Sequence, residues 1–187
     1  MGSYIPFGHY PINTKGESQP LVWLVLTVKN GKALLITDKL IDAVPYNTTY
    51  TDVTWETCTL RKWLNHDFME AAFTPEERAL IITTDLENQG NGKDTQDQIF
   101  ILSRDELCRR LRTPESRICP PSRYLMTELA AAGTYILNGG CCYWLRTPGG
   151  YGPESACLVQ ASGSLDFDFG YDDSYAVRPA LWVRLPS

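Results

Sequence analysis

Apolar and β-branched residues fill positions 21–28, and a second such run covers 33–37. Between them stands Asn30-Gly31, the dipeptide that best tolerates the two positive φ angles of a type I′ turn, so this stretch predicts a β-hairpin. Leu60, Trp63, Leu64 and Phe68 then recur at helical spacing, with Thr57 or Thr59 placed as N-cap. Thr74-Pro75-Glu76-Glu77 joins a capping residue to a proline at the first helical position and predicts a short second helix to about Ile81. The polar, glycine-rich residues 86–98 predict a surface loop. Residues 99–102 read as a buried strand, and Ser103-Arg104-Asp105-Glu106 is a capping-box pattern that opens a helix to about Leu111. Another helix is predicted over 121–132, ending at Gly133. From Cys142 the periodicity is that of strands, at 143–146, 156–159 and 176–185, the last interrupted by Pro179. No internal repeat or linker is visible. The pattern predicts one α+β domain over residues 1–187, with antiparallel strands, flanking helices and a loop-rich C-terminal half.

Composition narrows the classes. No apolar run nears the roughly 20 residues that span a bilayer, and Met1-Gly2-Ser3-Tyr4 lacks the basic and apolar regions of a signal peptide. By default this places the chain in the cytoplasm, unless it is displayed on a phage or cell surface. The six cysteines, Cys58, Cys108, Cys119, Cys141, Cys142 and Cys157, include no C-x-x-C pair and read as reduced, mostly buried thiols. The two histidines, His9 and His66, stand apart from them, so no zinc site or other metal cofactor is expected.

Charge distribution is more informative. Residues 149–176 hold Glu154, Asp166, Asp168, Asp172 and Asp173 and no Lys or Arg. Removing those five acids from the chain's 22 leaves 17 against 17 bases, so the net charge of −5 sits in this one segment. A nucleic-acid footprint would be basic, and that partner class is disfavoured.

Within the segment, residues 166–175 read DFDFGYDDSY. A solvated acidic loop rarely interleaves aromatics with its charges, because exposed aromatic area is costly to hydrate. At roughly 150–250 Å² each, four aromatic side chains supply up to about 600–1,000 Å² of contact surface, comparable with one partner's share of a standard interface, about 800 Å². Tyr with Ser, Gly and Asp is also paratope-like composition. A binding surface is the favoured reading, with a solvated loop, a packed strand or an ion site as alternatives. Calcium is disfavoured: counting from Asp166, Gly170 falls at position five and Val177 at twelve, where an EF-hand loop needs Gly at six and Glu at twelve.

The bracket Tyr143-Trp144-Leu145-Arg146-Thr147-Pro148-Gly149, then a variable middle, then Ala176-Val177-Arg178-Pro179-Ala180-Leu181-Trp182 resembles the C-terminal frame of the variable proteins of diversity-generating retroelements. Upstream, Gly8-His9-Tyr10-Pro11, Trp23-Leu24-Val25-Leu26, Trp55-Glu56, Trp63-Leu64-Asn65 and Ile99 to Ser103 resemble a gut-bacterial domain family of unknown function with the same frame. The resemblance implies a C-type lectin-like fold, in the branch shared with formylglycine-generating enzymes. It implies an N-terminal strand over 4–11 packed beside 176–185. It also implies a non-enzymatic receptor- or adhesion-type protein that binds an unknown protein or glycan on a cell or phage surface. Its diversified contact positions would be Tyr151, Ser155, Asp166, Phe167, Asp168, Tyr171, Asp172, Asp173 and Tyr175. In such proteins adenine replacement leaves codons ending in C, and within 149–176 only Glu154 and Gln160 fall outside the residues so encoded.

Arg146 and Arg178 then read as frame residues that pair with a carboxylate or loop carbonyls, and Trp144 and Trp182 as core. The alternative function is an oxidase of the formylglycine-generating branch, using C-terminal cysteines. Adjacent strand residues point to opposite faces, so Cys141 and Cys142 would not converge in a strand. Nor does the chain carry the Glu-Pro-Asn or Trp-Asn-Asp signatures of calcium-dependent lectins.

Overall fold

The computed structural model describes residues 2–13, 15, 17–90, 92–131 and 139–185. β1 (Tyr4–Pro11), β2 (Ser18–Lys29) and β3 (Lys32–Thr37) form an antiparallel meander. Asn30 and Gly31 take φ of 52° and 70° in the turn between β2 and β3, as the hairpin signal requires. β4 (Asp42–Ala43) leads to a helical region made of α1 (Thr59–Trp63), a π-helical turn (Leu64–Phe68) and α2 (Met69–Ala72). The N-cap of α1 is Cys58, whose Sγ accepts from Arg61 N–H at 3.4 Å. Thr57 and Thr59, the expected caps, serve the preceding loop instead, at Thr54 N and Thr48 N.

α3 (Pro75–Arg78) has the expected capping box between Thr74 and Glu77 but stops short of 81, because Ile81 and Ile82 are drawn into β5 (Ile81–Ile82) beside β13. The expected loop over 86–98 is partly structured: β6 (Thr84–Leu86) pairs with β7 (Thr95–Asp97), and Leu86, Thr95 and Asp97 are buried. Asp97 explains why a polar stretch folds inward. It accepts from Trp55 Nε1 (2.9 Å), Thr95 Oγ1 (2.8 Å) and Arg61 Nε (2.6 Å), so its buried charge is fully partnered. β8 (Ile99–Phe100) is followed by α4 (Arg104–Arg110), whose Ser103–Glu106 capping box forms as expected, then α5 (Pro114–Arg117) and α6 (Arg123–Ala131). The expected helix end at Gly133 lies outside the described residues.

Of the last strands, β9 (Tyr143–Pro148), β10 (Ser155–Val159), β11 (Leu165–Phe169) and β12 (Ala176–Val177) join β4 in one sheet, ordered β11-β10-β9-β12-β4. β13 (Ala180–Arg184) belongs to the other sheet, ordered β1-β2-β3-β13-β5, with β8 also on β13. The strand expected over 176–185 therefore divides at Pro179, one half in each sheet, and the segment it pairs with divides likewise after Thr37, into β3 and β4. β1 is two strands removed from β13 rather than beside it, because β2 and β3 intervene. The fold is α+β, with mostly antiparallel sheets and short helices. A single core runs through both sheets and the helices, with Trp23, Trp55, Trp144, Tyr46 and Phe68 fully buried.

Arg178 sits where the chain passes between sheets. Its Nε donates to Thr37 C=O at 3.1 Å and its guanidinium lies 5.6 Å over the Tyr143 ring. Arg146 on β9 is buried too; it pairs with Glu106 of α4 and donates to the carbonyls of Ile101 and Glu87. Both are frame residues, as expected. Trp144 is core, whereas Trp182 is half-buried, with the Lys32 ammonium 5.0 Å from its ring centre. Among the described residues no helix is long and apolar enough to cross a membrane.

Candidate aromatic binding face

β10 and β11 form a hairpin at the open end of the second sheet, with Cys157 opposite Phe167. Its turn closes through Gln160 N–H to Ser164 C=O at 2.8 Å. Gly163 holds that turn at φ +81°, and a Cβ there would overlap the Pro114 carbonyl of α5. Glycine therefore lets the hairpin lie tightly on the domain.

The phase of this ladder decides what each side of β11 presents. Gly170 N–H donates to Glu154 C=O at 2.9 Å, and the Gln160–Ser164 bond lies at the other end. Bonded pairs recur every second residue, so Asp166 and Asp168 bond to β10 through their backbones. The N–H groups of Phe167 and Phe169 point to the open edge. Those two donors are met by carboxylates of their own strand, Asp166 Oδ1 to Phe167 N at 3.0 Å and Asp168 Oδ1 to Phe169 N at 2.7 Å. Phe169 C=O is taken by Asp172 N–H. An edge capped by its own acids is blunted against further strand pairing.

Side chains alternate across the strand. Asp166 and Asp168 share one side, where Asp166 accepts from Gln160 and Asp168 from the Tyr175 hydroxyl at 2.6 Å. Phe167 and Phe169 share the other and meet three tyrosines. Tyr151 lies edge-to-face on Phe167 at 4.5 Å and 5.9 Å from Phe169. Tyr171 stacks on Phe169 at 6.0 Å, and Tyr50 meets Phe169 at 5.7 Å and Tyr171 at 5.2 Å. These five rings form a chain of contacts that lies outside the main core. Tyr50, Tyr151 and Tyr171 expose 62%, 61% and 49% of their surfaces. Tyr50 is anchored by its hydroxyl donating to Glu154 Oε1 at 3.0 Å, which pushes the phenol pKa upward. A cleft of about 500 Å³, whose walls include Asp52, Thr54, Pro148 and Pro153, adjoins the Tyr151 loop.

Of the residues the sequence singled out, Tyr151, Phe167 and Tyr171 are thus brought together. Asp173, two residues past Tyr171, is exposed, and Asp172 is turned back onto Ser174. Asp166 and Asp168 lie on the opposite side of the strand. Ser155 does not join the face: it is buried, its Oγ donating to Gly152 C=O within the 152–155 turn. Tyr175 packs inward on Trp144 at 4.8 Å, and burial, then its bond to Asp168, raise its pKa. Sequence reasoning missed Phe169, Tyr50 and Glu154. The D-F-D-F alternation pairs Phe169 with Phe167, so that signal was present. Nothing local marks Tyr50, which arrives from 104 residues before Glu154.

The acids on and around this hairpin lack ion-pair partners. Among the described residues, ion pairs join Asp38, Glu56, Asp97 and Glu106 to Lys or Arg, and none involves Asp52, Glu154, Asp166, Asp168, Asp172 or Asp173. The adjacent thiols meet different surroundings: Cys141 is buried near Cys119 and pushed up to about 11 by that burial, while Cys142 faces Asp166, Asp168 and Asp172. Cys58, Cys119 and Cys157 are buried as well, with burial raising each thiol. Among the described residues no three His, Cys, Asp or Glu side chains stand together as metal ligands.

Fold and surface together define an α+β domain with an exposed aromatic face built on a capped sheet edge. Residues 30–185 match the family described as Domain of unknown function (DUF6273), and the chain belongs to that family. No curated protein and no solved structure matches it.

Proposed function

We propose that this protein is a ligand-binding domain and that the five-ring face of Tyr50, Tyr151, Phe167, Phe169 and Tyr171 is its contact surface. The observation that carries this reading is the cluster's position outside the core: three tyrosines about half-open to water, packed on two partly buried phenylalanines, cost hydration free energy that burial against a partner recovers. The wider reading takes the fold as C-type lectin-like and residues 149–176 as the variable segment of a diversity-generating retroelement protein. The division of labour supports it: Trp144, Arg146, Ala176 and Arg178 are buried on either side, and most of the ring face lies between them. A reverse transcriptase beside the gene, with a near-copy of the sequence encoding 149–176, is the expected genomic finding; a locus without either would remove the retroelement part of the reading.

The face is tested with Tyr50→Ala/Tyr151→Ala/Tyr171→Ala. Exposed substitutions cost about 0.5 kcal/mol each, so the melting point of the triple variant should fall by no more than about 5 °C. Binding to whichever members of a cell-surface protein and glycan panel the wild type selects should be lost. A fall of more than about 10 °C would mean that the rings are core and that the face is not a binding surface.

A further inference from the structure

We infer that the ligand of this face is a basic polypeptide segment, bound by lysine or arginine side chains laid over the tyrosines of the cluster. This rests on the reading of the five rings as the contact surface and adds the class of partner. The first ground is the chemistry of the rings. Tyr50, Tyr151 and Tyr171 are about half or more exposed and lie within 5.2–6.0 Å of one another or of Phe169. An aromatic face carries negative electrostatic potential, and a cation placed over it is attracted while its hydrocarbon stem covers apolar area.

The second ground is charge complementarity. Glu154 is hydrogen-bonded to Tyr50 at 3.0 Å, so a carboxylate stands at the rim of the ring cluster itself. Asp173, two residues past Tyr171, is exposed, and Asp52 lines the adjoining cleft. None of these carboxylates has a cationic partner among the described residues, and no Lys or Arg occurs in the whole of 149–176. A neutral ligand would bury rings beside uncompensated negative charge. A basic ligand supplies the missing counter-charge and is steered toward the face.

The third ground concerns how the segment lies. Strand addition to β11 is blunted, because Asp166 and Asp168 take the Phe167 and Phe169 N–H groups and Asp172 N–H takes the Phe169 carbonyl. Recognition therefore runs through side chains across the ring face.

Selection of a phage-displayed library of random 12-residue peptides on the immobilised full chain tests this, with a glycan array in parallel. The expected result is enrichment of peptides carrying several Lys or Arg. The best of these, made synthetically, should bind at least ten-fold more weakly in 0.5 M salt and at least ten-fold more weakly when its cations are replaced by Gln. Its affinity should fall at least ten-fold for Tyr50→Ala/Tyr151→Ala and several-fold for Glu154→Gln, with circular dichroism unchanged. Basic peptides that bind the tyrosine variant as well as the wild type would overturn the inference, since charge alone would then explain them. Ring-dependent selection of neutral or acidic peptides, or of a glycan, would overturn the basic class while leaving the face as a binding surface. No ring-dependent ligand of any kind would overturn both.

Discussion

Glu106→Gln should destabilise the protein by about 3–5 kcal/mol, the usual cost of leaving one member of a buried ion pair alone. Arg146 is almost fully buried, and Glu106 is its only carboxylate partner among the described residues. The same Glu106 also closes the capping box of α4 by accepting from Ser103 N–H at 2.9 Å. Glutamine keeps that acceptor and removes only the charge, so the variant isolates the pair from the cap. Glu106→Gln/Arg146→Met should recover much of the loss, because no buried charge is then left unpaired. Urea midpoints give the comparison. A loss under about 1 kcal/mol in the single variant would class the pair with exposed ion pairs.

The same pair predicts acid sensitivity. Burial tends to raise the Glu106 carboxyl, but the hydrogen bond and charge of Arg146 outweigh it and hold the group below the usual 4.5. A carboxylate whose folded pKa is depressed contributes stability that is complete above the unfolded value and lost as pH falls through the folded one. Stability of the wild type should thus drop more steeply below pH 4.5 than that of Glu106→Gln. Parallel curves would count against the pair as the source.

Trp144→Ala should cost a comparable about 3–5 kcal/mol, as for other large buried aromatics, and lower the melting point by about 10 °C or more. Trp144 is wholly buried between Tyr46 at 5.9 Å and Tyr175 at 4.8 Å, so its removal leaves a cavity lined by two rings. Its Nε1 has no hydrogen-bond partner, which makes Trp144→Phe the informative companion. That variant gives up ring volume but also relieves an unpaired buried donor, and should be milder than alanine by well over 1 kcal/mol. Tyr151→Ala, nearby in sequence, should change stability by about 0.5 kcal/mol. Equal losses at 144 and 151 would erase the distinction between frame and face.

Local chemistry carried much of the fold. The Asn30-Gly31 hairpin and the capping boxes at Thr74 and Ser103 involve only neighbours in the chain, and they form where the residues demand. The elements that departed from expectation are those claimed by distant partners. Ile81 and Ile82 continue no helix because β13 offers them a ladder. The polar stretch around Asp97 folds inward because Trp55 and Arg61 supply donors from elsewhere.

The same division holds at the candidate face. The residue order alone shows that acids and aromatics concentrate in 149–176, that they alternate along 166–169, and that Arg146, Arg178 and Trp144 flank the segment. Those are matters of composition and of a two-residue period. Which half of the alternation faces outward is set by packing, because the phase of the β10–β11 ladder depends on where the 160–164 turn closes. Packing also turns Ser155 and Tyr175 inward, makes Asp166 and Asp168 caps of an open edge, and brings Tyr50 and Glu154 to the rings. A surface assembled from segments 104 residues apart has no local signature, since chain packing and not the chain's own period sets its geometry.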